Sequence, residues 1–147
     1  MNREVAAIMS YFYKLFPCKV YTKEVPESFV IPSMYFLSPF AFNSNDTLST
    51  FMKTYSLSVK LFHKDSQQAN NEAERIADVV NSKRGLIPLI DQTGVPTGDY
   101  VRINRIETRI ADSGVAIIQV TWDSRYFYEK EEYAPFENFG MDSEVKS

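Results

Sequence analysis

Tyr100-Val-Arg-Ile-Asn-Arg-Ile-Glu-Thr-Arg-Ile110, then Ala111-Asp-Ser-Gly114, then Val115-Ala-Ile-Ile-Gln-Val-Thr-Trp122 is the stretch that sets the architecture. Both arms are rich in β-branched and aromatic residues, and between them Gly114 can take the positive φ of a short hairpin loop. The apolar phase of the first arm moves from Val101 and Ile103 to Ile106 and Ile110. A period of two cannot do that without an extra residue, so a bulge is predicted there. Tyr126, Phe127 and Tyr128 prolong the second arm.

Upstream lies the short apolar run Leu86 to Ile90, whose Pro88 confines it to a sheet edge. Asp91 to Asp99, with two glycines and a proline, reads as a loop. Before that, Ala69, Ala73, Ile76, Ala77 and Val80 repeat at helical spacing. Asp65 is placed to cap that helix with Gln68 completing a capping box, and Gly85 is placed as its left-handed C-terminal residue. Lys83 and Arg84 would complement its dipole. Tyr55, Leu57, Val59 and Leu61 alternate with Ser56, Ser58 and Lys60, the mark of a half-buried strand.

At the N-terminus Val5, Ile8, Met9, Phe12, Leu15 and Phe16 form one apolar face of a helix from about Asn2 to Phe16, which Pro17 ends. Val20-Tyr-Thr22 reads as strand, and Pro26, Pro32 and Pro39 punctuate an extended region. Met34 to Phe42 is too apolar for a free loop, whereas Asn43 to Ser49 reads as the first clear loop. The order predicts an α+β fold. An antiparallel or mixed sheet carries an N-terminal helix and a second helix on one face, closed by a long C-terminal hairpin. Residues 1–128 are expected as a single domain, with 129–147 an acidic, aromatic-containing tail.

Composition restricts function. A formal net charge of −3 gives no general attraction to nucleic acid. Cys18 is the one cysteine, so neither an internal disulfide nor a thiolate zinc cluster can form. The longest apolar stretch is about half of a bilayer span, and the polar start lacks a secretory h-region. A reducing cytoplasm and no membrane are expected, and the Asn45-Asp-Thr47 sequon reads as chance.

Catalytic chemistry finds little to use. His63 ends a strand without a nucleophile signature beside it, and Cys18 reads as a structural thiol. Asp91 with Asp99, and Glu129, Glu131 and Glu132, sit in loop and tail surroundings that suit solvated charge. Gly94 and Gly98 do not make a phosphate loop. No catalytic, cofactor or metal residues are assigned, and a small ligand-binding or accessory enzyme domain is the weaker alternative. Arg102, Arg105 and Arg109 lie along one arm of the hairpin, interrupted by Glu107. Aromatic residues are 14% of the chain, more than the Val/Ile/Leu-rich core needs. Tyr126, Phe127, Tyr128, Tyr133, Phe136 and Phe139, and less strongly Tyr35 to Phe42, therefore read as anchors for a partner surface.

The layout resembles the tail terminators and tail-completion, or head–tail joining, proteins of long-tailed phages and phage tail-like bacteriocins. The resemblance is carried by the first helix, Val20-Tyr-Thr-Lys-Glu-Val-Pro-Glu27, and Phe29-Val-Ile-Pro32. It continues through the strand Thr54 to Phe62, the helix Asn70-Asn-Glu-Ala-Glu-Arg-Ile-Ala77 and a hairpin ending in Tyr126-Phe-Tyr128. It implies a homo-oligomeric ring, usually of six, that caps the head-proximal end of the tail tube and offers a surface to the head connector or collar. The implied partners are the tail tube protein, the connector and, in a contractile tail, the sheath protein; DNA would only pass through the lumen. Another connector or minor tail protein is the neighbouring alternative. Assembly would occur in the bacterial host cytoplasm, ending in the virion or particle tail. Hairpin and aromatic tail are the expected contact surfaces.

Overall fold

The computed structural model describes residues 3–127. Helix α1 (Arg3–Leu15) is followed by β1 (Lys19–Tyr21), β2 (Ser33–Phe36), β3 (Phe40–Asn45) and β4 (Thr50–Phe62). Then come α2 (Ser66–Ser82), β5 (Leu86–Ile90), β6 (Pro96–Asp112) and β7 (Val115–Phe127). The strands form one sheet in the order β1-β2-β4-β7-β6-β5, with β3 also paired to β4. The predicted α+β class holds, but the sheet is mixed. β1 and β2 run parallel and the other pairs antiparallel. Between β1 and β2 the chain crosses over as a strap instead of turning back, which returns it in the same direction.

Strand alternation gives the sheet two unlike faces. On one, Tyr55, Leu57, Val59 and Leu61 of β4 stand opposite Trp122, Val120, Ile118 and Ala116 of β7, and all eight are buried. Both helices cover this face: Val5, Ile8 and Phe12 of α1 and Ala69, Ala73, Ile76 and Val80 of α2 join the same core cluster. The small alanines let α2 lie close to the strands. Trp122 is fully buried and stacks on Tyr55 with ring centroids 5.4 Å apart. Its indole N–H donates to Glu4 Oε1 at 3.1 Å. Glu4 also accepts from Ser124, so one carboxylate pins α1 to β7.

Local signals were obeyed where they were strongest. Asp65 caps α2, its carboxylate accepting the Gln68 backbone N–H at 2.8 Å, and the predicted α2 face is the buried one. Gly85 is left-handed (φ 73°), and so is Arg84 (φ 60°). Gly85 N–H closes the helix on Val80 O at 2.9 Å. The predicted bulge lies between Ile103 and Arg105, where the β6–β7 register shifts. β5 is an edge strand, as Pro88 requires.

Three boundaries differ. Asn43 to Asn45 are not loop but the end of β3, held by pairing to Phe51, Met52 and Lys53. A ladder partner outweighs their weak β propensity, leaving Asp46–Ser49 as the turn. Pro96 to Asp99 belong to β6, with Pro96 opposite Ile90, so only Asp91–Val95 turns. Ala111 and Asp112 also belong to β6, and Asp112 pairs with Val115, which reduces the hairpin loop to Ser113-Gly114.

Candidate assembly surfaces

The face without helices holds most of the exposed candidate residues. Its rows run across four strands: Phe40 of β3, Ser56 of β4, Thr121 of β7 and Arg105 of β6 lie side by side. One row over stand Ser58, Gln119 and Glu107, and beyond them Lys60, Ile117 and Arg109. The middle of this face satisfies itself. Gln119 Nε2 donates to Ser56 Oγ at 2.9 Å, Thr54 Oγ1 to Asp123 Oδ1 at 2.6 Å, and Asn104 Nδ2 to Asp123 Oδ2 at 2.5 Å. Near β1 and β2 the strap covers it. Phe29 packs on Phe62 with centroids 4.7 Å apart, the Val30 N–H donates to the Tyr21 hydroxyl, and the Tyr35 hydroxyl donates to Lys23 O.

What remains open lies at the margins. Arg102, Arg105 and Arg109 are exposed on the β6 side. Arg105 pairs with Glu107 at 3.0 Å across water-exposed side chains, a contact of small energetic weight. On the opposite margin all of β3 is exposed, with Phe40 at 61% and Phe42 at 57%. The apolar run Met34 to Phe42 thus divides: Met34 and Phe36 enter the core, while Phe40 and Phe42 face solvent. Its aromatic richness was visible in sequence; which rings would remain outside was not. Leu48, in the β3–β4 turn, is wholly exposed and carried no sequence signal.

The expected tail anchors divide differently. Tyr126 and Phe127 pair through their backbones with Phe51 and Thr50. Their side chains, and all of Tyr128, Tyr133, Phe136 and Phe139, lie outside the described residues, as do Glu129, Glu131 and Glu132.

Of the residues weighed for chemistry, His63 and Asp91 make local structural contacts. His63 stacks on Phe16, with ring centroids 6.1 Å apart, and its Nδ1 accepts the Lys64 backbone N–H at 2.8 Å. Burial pushes the Cys18 thiol up to about 11, far from the low value a nucleophilic thiolate needs. Asp91 accepts from the Thr93 hydroxyl and from the N–H groups of Thr93 and Val95. Those bonds, the Thr93 hydroxyl first, hold its carboxyl below the usual range and fold the turn before β6. Among the described residues no group of three or more His, Cys, Asp or Glu side chains could hold a metal. Nor is any described helix long and apolar enough to cross a membrane.

A two-helix layer on a mixed sheet, with exposed aromatic and basic residues at its margins, defines an α+β protein. Residues 5–135 match the family described as phage tail terminator protein. The chain belongs to that family, whose members are structural proteins of phage tails. It is 50% identical to the uncharacterized protein YqbJ of Bacillus subtilis (strain 168), over 99% of this chain and 100% of that one. It is 47% identical, over the same shares, to the phage-like element PBSX protein XkdJ of the same organism. A solved structure aligned over 89% of this chain and 100% of its own has 11% identity and a TM-score of 0.39.

Proposed function

We propose that this protein assembles into a ring, of six copies, that caps the head-proximal end of a tail tube. The ring ends tube polymerisation and offers a surface to the head connector or collar. It forms in the host cytoplasm and stays in the tail of the phage or phage-like particle. Its partners are further copies of itself, the tail tube protein, the connector and, in a contractile particle, the sheath protein; DNA only passes through the lumen. Family membership supports the tail role, as does similarity to a protein of a phage-like element.

The observation that carries the ring is the asymmetry of the open face. Exposed Phe40 and Phe42 lie at one margin, and exposed Arg102, Arg105 and Arg109 at the other. A closed ring needs unlike surfaces on its two sides, so that each copy meets the next head to tail. The arginine side of the hairpin supplies one contact, and the segment carrying Tyr126, Phe127, Tyr128, Tyr133, Phe136 and Phe139 supplies another. Light scattering of the purified protein, alone and with tail tubes, tests this. A ring mass, or ring formation on the tube end, is expected; a strict monomer that never binds tubes overturns the reading.

A further inference from the structure

The β3–β4 hairpin collects three of the exposed large apolar side chains, Phe40, Phe42 and Leu48. Leu48 is held out by an ordered turn. Thr47 N–H donates to Thr50 O at 3.1 Å, and Thr47 Oγ1 accepts the N–H groups of Ser49 and Thr50. Thr50 Oγ1, itself within 2.5 Å of Thr47 Oγ1, donates to Asp46 Oδ2 at 2.9 Å. An apolar side chain on a pre-ordered turn loses little conformational entropy when it is buried by a partner.

The outer edge of β3, which pairs with no other strand among the described residues, points the same way. A sheet edge invites another chain unless it is short, charged or broken by proline. β1 is only three residues long and begins with Lys19. On β5, the Ile103 N–H donates to Gly85 O at 2.7 Å. Alternation then turns the nitrogen of Pro88 away from β6, so the outer edge lacks a donor there. β3, Phe-Ala-Phe-Asn-Ser-Asn, has six residues with neither charge nor proline.

A receptor for Leu48 exists on the same molecule, where Leu48 cannot reach it. Val5 and Met9 of α1, with Phe36, Leu37 and Pro39, line an apolar cleft of about 220 Å³. That volume exceeds a leucine side chain, and none of the described residues lining it is charged. Pro39 immediately precedes β3, whereas Leu48 lies beyond its other end. Six strand residues separate them by roughly 17 Å or more.

We propose that Leu48 of one copy of this chain seats in the Val5–Met9–Phe36 cleft of the next copy, with β3 alongside. This deepens the ring reading and rests on it: knob and cleft at opposite ends of one strand make a head-to-tail contact, which propagates around a ring and does not close a two-fold pair.

The test is disulfide trapping in the full-length chain carrying Cys18→Ala, Leu48→Cys and Ser38→Cys, because Ser38 also lines the cleft. The intramolecular separation exceeds disulfide reach, so any bond between the two introduced cysteines joins two copies. Oxidation should yield a covalent ladder up to ring size, absent from each single-cysteine control. Leu48→Asp, whose side chain is fully exposed in the monomer, should fold normally by circular dichroism and self-associate about tenfold more weakly. Rings that form without the ladder, and that tolerate Leu48→Asp, overturn the contact and leave the ring reading standing. Loss of tube binding by Leu48→Asp with intact rings assigns the knob to the tube protein and likewise overturns it. A chain that stays monomeric with and without tubes overturns the ring itself.

Discussion

The two faces of one sheet are built from the same strands yet follow different chemistry. Along β4 the side chains alternate between Leu57, Val59 and Leu61 beneath the helices and Ser56, Ser58 and Lys60 on the open side. The helix side gains from apolar burial, at about 25 cal/mol per Å². The open side gains from short lateral hydrogen bonds, each worth about 1 kcal/mol net. Stability is therefore concentrated on one face.

That contrast makes Trp122→Ala the most damaging change. It empties a fully buried site and should cost about 3–5 kcal/mol in urea unfolding. Gln119→Ala on the open side should cost only about 1 kcal/mol; equal losses would abolish the distinction. Next, Gly114→Ala forces a Cβ to 2.8 Å from His63 O at a positive φ, with an expected loss of about 1–3 kcal/mol. Gly94→Ala, at φ +87° but in open space, should lose about 1–2 kcal/mol from backbone strain alone. A thermal melt that ranks these two in reverse would refute the close approach of the hairpin loop to β4.

Glu4→Ala strands the buried Trp122 N–H and should destabilise by about 1–3 kcal/mol, with a change in tryptophan fluorescence. Arg105→Ala should shift stability by less than about 1 kcal/mol, while weakening ring assembly if the basic margin is a contact. Near neutrality the smallest effect is that of Cys18, which stays protonated there whether folded or not. Its thiol is raised from 9.0 to about 11 by burial, so its stabilising contribution is full below pH 9 and lost as pH climbs through 11. Iodoacetamide labelling of the folded protein should accelerate only towards the upper end of that window. Rapid labelling near neutrality would place the thiol in solvent instead.

Elements with a strong local period were legible in the sequence: α1, the Ala-faced α2 with its Asp65 cap, the alternating β4 and the bulged hairpin. Asn43 to Asn45 and Pro96 to Asp99 were misread as loop because their own preferences are those of turns. Only pairing to Met52 or Ile90 makes them strand. On the open face, the exposure of Arg102, Arg105 and Arg109 was legible from their spacing. The apolar margin of that face was not, since Phe36 and Phe40 are the same residue type and differ only in what covers them.

The α+β class, the helix caps, the proline-marked edge and the resemblance to tail terminators could thus be read from the amino-acid order, because each is written in short-range spacing and backbone preference. The parallel β1–β2 pair, the exposure of Phe40, Phe42 and Leu48, and the burial that raises the Cys18 thiol emerge only once the chain is folded. These depend on which segments meet across tens of residues, and no local pattern encodes that meeting.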